Sequence, residues 1–197
     1  MNNRAKEYLK IIKENRLEIQ PFYNLNQLDD LADLIIETDP YIYPCFTKDK
    51  ETLKKLLLVD GPLNYKNIII AEHNGKLVGQ ITIFNNTNAY NIESKNKEIQ
   101  HVIDNYFNTF TAENYENGYI IALSVLPEYR RCGVGRALMN YVVNRNLADT
   151  LDCLADNERA LNLYDSFGFE KVGEEYIGYA FNEDDRPTVI QLRRKIS

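Results

Sequence analysis

Just after Pro127 the chain runs Arg130-Arg131-Cys132-Gly133-Val134-Gly135-Arg136, three cations and two glycines in one short loop. Glycine takes left-handed backbone angles and puts no side chain in the way, so several N–H groups can turn toward one point. A helix that begins at once adds its own unpaired N–H groups and the positive end of its dipole. The natural guest of such a loop is a phosphate or pyrophosphate, and Arg130, Arg131 and Arg136 add local charge. A Walker loop is excluded, because Gly-Lys-Ser/Thr is absent. A dinucleotide fingerprint is excluded as well, because Leu138 stands at its third glycine position. Taken alone, the loop is either an anion cradle or a turn that merely joins strand to helix.

A second constellation lies downstream. Asn157 and Tyr164 are seven residues apart, two helical turns, so both project from nearly one face. Asn157 also suits a helix N-cap. Tyr164 is one of 14 tyrosines, and by type alone it could equally be an amphipathic core residue.

The stretch "LSVLPEYRRCGVGRAL" resembles motif A of the GCN5-related N-acetyltransferases, the GNAT superfamily. That signature, Arg/Gln-x-x-Gly-x-Gly/Ala, is met by Arg130, Gly133 and Gly135. "ADNERALNLYDSFGF" is similar to the family's later motif, with Asn157, Tyr164 and Gly168-Phe169 at its spacing. The resemblance covers 119–169, and the first 66 residues fit the family's layout loosely. It implies acetyl-CoA as acetyl donor and an amine acceptor, with direct attack in a ternary complex. It further implies that N–H groups of Arg131, Cys132, Gly133, Val134 and Gly135 hold the pyrophosphate, beside Arg130 and Arg136. Leu123, Ser124 and Val125 then pair, strand-like, with the pantetheine arm. Asn157 hydrogen-bonds the pantetheine region. Tyr164 becomes the general acid: a phenol with a reference pKa of about 10 is protonated at neutral pH and can protonate the leaving thiolate.

The resemblance is weaker about the base. Many relatives carry a glutamate on the strand before the glycine loop, where this chain has Ile121 and Ala122. Asp152 matches the place where the ribosomal-protein alanine acetyltransferase branch keeps its glutamate. It either deprotonates the amine, directly or through water, or is an exposed edge-strand aspartate. Cys132 lies inside the phosphate loop, so its thiol should point away from the thioester and an acyl-cysteine route is not expected. In the family the acceptor pocket falls, by position, to the aromatic loop 41–46, the insert 85–117 and the tail near 176–181. A net charge of −6 favours a cationic acceptor, whether small molecule or peptide. A GNAT-like module that senses acetyl-CoA or a metabolite without turnover is the competing reading. The missing strand glutamate favours it, while Tyr164 and the intact loop oppose it.

The elements that must position these residues are legible in the hydrophobic periodicity. Residues 4–15 are expected to form an N-terminal amphipathic helix and "RLEIQPF" a first strand ending near Pro21. Leu28, Leu31, Ala32 and Ile35 predict a helix that Asp39-Pro40 ends. A further helix is expected over 48–59, with Leu53, Leu56 and Leu57 inward. Two β-rich runs around Asn74-Gly75 predict an antiparallel hairpin over 67–84. In the connection 85–117, Ile99, Val102, Ile103, Tyr106, Phe107 and Phe110 trace an apolar helical face that either packs as core or makes a homodimer contact. A buried strand is expected over 118–125, then a helix to about 146 with Ala137, Leu138, Tyr141 and Val142 inward. A strand over 151–155, a helix from Asn157 to Gly168 and two closing strands complete a mixed α/β order. With the family resemblance, the expectation is one domain over 1–197: a twisted, mostly antiparallel sheet flanked by helices, its middle strands splayed into an acetyl-CoA slot.

Bulk properties narrow the field further. Hydrophobic residues at 44% and charged residues at 26% fit a globular protein. The acidic balance argues against a duplex nucleic acid or an anionic membrane as partner. Three cysteines and two histidines, without short metal-type spacing, argue against a bound metal and fit a reducing cytoplasm. No stretch approaches the roughly 18 apolar residues of a membrane span.

Overall fold

Asn74 and Gly75 turn the chain with φ of 53° and 80°, the left-handed pair that a tight type I′ hairpin requires. They join strand β2, Ile68–His73, to strand β3, Lys76–Phe84. The computed structural model describes residues 17–38, 47, 49–61, 63–84, 117–176 and 188–195. The expected N-terminal helix and nearly all of the insert 85–117 lie outside them, as do the aromatic loop 41–46 and residues 177–187.

Strand β1, Leu17–Pro21, lies along β2, and Pro21 closes it where the missing N–H costs least, on a sheet edge. Beyond β3 come β4, Tyr119–Val125, then β5, Thr150–Leu154. β6, Phe169–Tyr176, and β7, Thr188–Arg194, complete the sheet in the order β1-β2-β3-β4-β5-β7-β6. Every pairing is antiparallel except β4 with β5, which run parallel.

That parallel pairing is short. Tyr119 pairs with Thr150 and Ile120 with Leu151, and the ladder stops there. On the other side of β4, Ile83 faces Ile120 while Thr82 faces Ala122, so Ile121 is an extra residue. A bulge bends its strand and sharpens the local twist. Beyond it β4 stays with β3 as far as Gly79 opposite Val125, whereas β5 follows β7. The middle of the sheet therefore opens like a V, as the mixed fold with splayed central strands requires.

Helices cover both faces. Helix α1, Leu28–Thr38, and helix α2, Lys50–Leu58, pack together, with Lys50 paired to Asp33 at 2.7 Å and Lys54 to Asp29 at 2.6 Å. Asp49 caps α2 by accepting from Thr52 N–H, which holds its carboxyl below the ordinary carboxylate range. Leu53, Leu56 and Leu57 are buried, as their spacing predicts. Helix α3, Val134–Asn144, lies across β1 to β4. A Cβ on Gly79 would come within 3.0 Å of Val134 Cγ1, so Gly79 faces α3. Its neighbour Gln80 faces the other way, toward α1, which also covers β3 and β4. The buried stripe of α3 is Val134, Leu138, Met139 and Val142. Ala137 and Tyr141 are only half-buried, so the stripe is rotated from the expected one. Tyr141 sits at the rim, where its ring carries the Arg145 guanidinium at 3.8 Å. Helix α4, Glu158–Asp165, begins at the Asn157 cap and is followed by Gly168 with φ 79°.

Candidate functional site

The glycine loop follows a short turn, Pro127–Tyr129, at the open end of β4. Arg131 has φ 66° and Gly133 φ 83°, both left-handed, so the backbone alternates hand on either side of Cys132. Such alternation aims successive N–H groups into one concavity. Cys132 N–H is spent inside the turn on Tyr129 O at 3.2 Å. The first N–H groups of α3, on Val134, Gly135 and Arg136, have no intrahelical partner, as at any helix start. The two glycines have different reasons. Gly133 needs its left-handed φ. Gly135 is ordinary in backbone, and a Cβ there would meet Leu163 Cδ2 at 3.6 Å and Val125 Cγ2 at 3.9 Å, normal contact. Gly135 thereby sits where the end of β4, the start of α3 and the inner side of α4 meet.

The arginines divide the work. Arg130 Nε donates to Val125 O at 3.0 Å, lashing the loop to the end of β4. Arg136 donates to Ser166 Oγ at 3.2 Å and stacks over Phe167 at 5.4 Å, tying α3 to the end of α4. Arg131 is exposed, and among the described residues it makes no hydrogen bond or ion pair. Cys132 is buried with its Sγ toward Arg130 O at 3.8 Å, turned away from the open side of the loop.

Leu126 N–H donates to Val78 O, which fixes the phase of β4. Main-chain groups alternate sides along a strand. Ser124 therefore spends its backbone on β3, opposite Gln80, while Leu123 and Val125 turn theirs to the open edge. Of the three residues expected to pair with a pantetheine arm, Ser124 is thus the exception. Val125 O is already engaged by Arg130, leaving Leu123 N–H, Leu123 O and Val125 N–H along that edge.

Across the opening stands Tyr164, buried on α4 and tilted against Phe169 at 6.1 Å. Burial first, then Cys153, pushes its phenol well above the ordinary tyrosine value. Its hydroxyl makes no hydrogen bond to any described residue. Cys153, which the sequence reading did not single out, shares that corner. Burial, with Asp156 and Asp152 adding to it, raises its thiol to about 11. Asp152 is half-buried on β5 opposite Gln191, just beyond the last β4–β5 pair, where the side of the strand toward β4 is open. Strand alternation turns Asp152 to the face opposite Cys153 and Tyr164. Asn157 Oδ1 accepts from Ala160 N–H at 3.2 Å as the N-cap of α4. Ile121 and Ala122 are buried and apolar. Among the described residues no group of three or more His, Cys, Asp or Glu could hold a metal ion, and no helix is long and apolar enough to cross a membrane.

Comparison with known proteins gives the same frame. The profile of the acetyltransferase (GNAT) family matches residues 28–169, which take in the splayed strands, the loop and α4. This chain belongs to that family. It is 37% identical over 65 residues to N-alpha-acetyltransferase 50 of Danio rerio, a match over 30% of this chain and 39% of that protein. The chain thus aligns with about two-fifths of that relative's length. In fold it is similar to a chain of the NatC complex bound to Gag peptide and CoA, with TM-score 0.61, 18% identity and coverage of 92% and 99% of the two chains. It is also similar to Arabidopsis thaliana Naa50 in complex with the bisubstrate analogue CoA-Ac-MVNAL, with TM-score 0.59, 18% identity and coverage of 91% and 99%.

Proposed function

We propose that this chain is an acetyl-CoA-dependent N-acetyltransferase acting on a small-molecule or peptide amine. The observation that carries the reading is the meeting at Gly135 of the left-handed glycine loop, the end of β4 at Val125 and helix α4 at Leu163. The residues present fit the donor. Gly133, at φ 83°, holds a cradle that a side chain would strain, and the exposed Arg131 lies beside it. Leu123 and Val125 offer the edge to the amides of a pantetheine arm, and by the family resemblance the Asn157 side-chain amide hydrogen-bonds it as well. When bound, acetyl-CoA supplies an activated acetyl thioester.

The chain's own residues supply orientation and proton handling. The loop and the strand edge fix the donor, so that an amine entering between β4 and β5 meets the thioester carbon in a set geometry. Tyr164 gives its proton to the departing sulfur. A phenol held in the neutral form by burial is suited to donate, and its spare hydrogen is not committed elsewhere in the described protein. Asp152, on the opposite face of β5, takes the amine's proton on this reading, directly or through water. Acid and base then work on opposite sides of the opening. Cys153 stays a thiol at neutral pH and takes no part as nucleophile.

Calorimetric titration with acetyl-CoA, using ATP and NAD as controls, tests the reading. Wild type should bind acetyl-CoA selectively, and Gly133→Glu should lose that binding while remaining folded. Folded wild type that binds no acetyl-CoA would overturn it. The apolar Ile121 and Ala122 favour the second reading, a sensor without turnover. Thiol release with a panel of amines separates the two, because a sensor binds and releases none.

A further inference from the structure

The centre of the sheet carries a polar chain that neither the loop nor Tyr164 uses. Gln80 and Thr82 are wholly buried on the α1 face, and Ser124 is 5% exposed beside them on β4. Thr82 Oγ1 donates to Gln80 Oε1 at 2.8 Å, and Gln80 Nε2 donates to Ser124 Oγ at 3.3 Å. The direction of this chain is set. Gln80 uses its oxygen on Thr82 and its amide hydrogen on Ser124, so the Ser124 oxygen is the acceptor and its own hydrogen must point elsewhere. No described residue accepts that hydrogen. A buried amide, Gln80, itself held by Thr82, therefore orients this hydroxyl. That hydroxyl lies between Leu123 and Val125, whose main chains face the open edge, and it emerges on the face that Asp152 shares.

We infer that Ser124 is a specificity-determining residue, whose oriented hydroxyl donates to a carbonyl oxygen next to the reacting amine. The acceptor class is accordingly the α-amino amide, as at a peptide amino terminus, in preference to a bare alkylamine such as a polyamine or a lysine side chain. An alkylamine offers no acceptor atom at that distance and would leave the hydroxyl unsatisfied, which costs more than the hydrogen bond gains. This inference rests on the acetyltransferase reading and names its substrate class.

The test compares kcat/KM for an alanyl-peptide amide with kcat/KM for n-butylamine, by thiol release from acetyl-CoA. Wild type should prefer the peptide amide. Ser124→Ala, a small change in a closed site, should cut that preference about tenfold, the scale of one buried hydrogen bond. Ser124→Thr, which keeps the hydroxyl, should restore most of it, and Gln80→Leu, which frees the hydroxyl to rotate, should lower it in part. An unchanged ratio in Ser124→Ala, or a wild type that prefers the alkylamine, would overturn the inference and leave acetyl transfer standing. Wild type that binds acetyl-CoA yet releases no thiol with either amine would sink both.

Discussion

At the scale of single residues, burial decides which groups give protons and which keep them. Tyr164 loses solvent around its ring and stays neutral far into the alkaline range. Tyr164→Phe keeps the ring and removes the donor, so kcat should fall ~100-fold or more while acetyl-CoA affinity changes little. Equal losses in kcat and affinity would assign the phenol to binding. Cys153 offers a separate check. Its thiol rises from the ordinary 9.0 to about 11 on folding, so between those values the folded chain keeps a proton that the unfolded chain gives up. The unfolded state then binds fewer protons, and stability must fall as pH rises through that window. Urea midpoints from pH 8.5 to 10.5 should decline for wild type and decline less for Cys153→Ala; parallel curves would refute the assignment. The turn at Gly133 and the helix cap at Asn157 were legible because their signals are local. Cys153 beside Tyr164, and Gln80 beneath Ser124, were not, because those contacts join residues of different elements. Gln80 did leave a trace, a lone amide inside the apolar run "LVGQITIF".

At the scale of elements, position follows from close approach. α3 can lie on β3 because Gly79 has no side chain: a Cβ there would stand 3.0 Å from both Ser124 O and Val134 Cγ1. Ser124 O belongs to the β3–β4 ladder and cannot yield without stretching it. Gly79→Ala should therefore destabilise by about 1–3 kcal/mol, as overpacking does, measured by urea unfolding; a neutral result would mean that α3 shifts freely. The same strands show what sequence could and could not announce. Asn74-Gly75 specified its hairpin because turn chemistry is local. The Ile121 bulge was invisible, because a bulge is a property of two strands in register and nothing in "GYIIALSV" interrupts the apolar run. Yet the bulge marks where the sheet begins to open. The elements were readable from periodicity, whereas the slot between them was legible only through the family resemblance.

At the scale of the whole molecule, the sheet is two parts, β1–β4 and β5-β7-β6, that meet along the two residue pairs of β4 and β5. On the proposed reading the pantetheine arm lies in the gap as a surrogate strand, completing the ladder that β4 leaves open. Binding to the folded state alone then stabilises it, by about 2.7 kcal/mol at a hundredfold excess over Kd. A thermal shift reports that much for any ligand, so amide exchange is the sharper measurement. Leu123 and Val125 turn their N–H groups to the open edge and should exchange quickly in the free protein, then slowly with acetyl-CoA bound. Ser124 N–H is committed to β3 and should be protected in both states. Protection that rises equally at all three would mean that the ligand tightens the whole sheet instead of pairing with one edge of β4. Protection confined to Leu123 and Val125 would place the arm on that edge, with the Ser124 hydroxyl left facing the incoming amine.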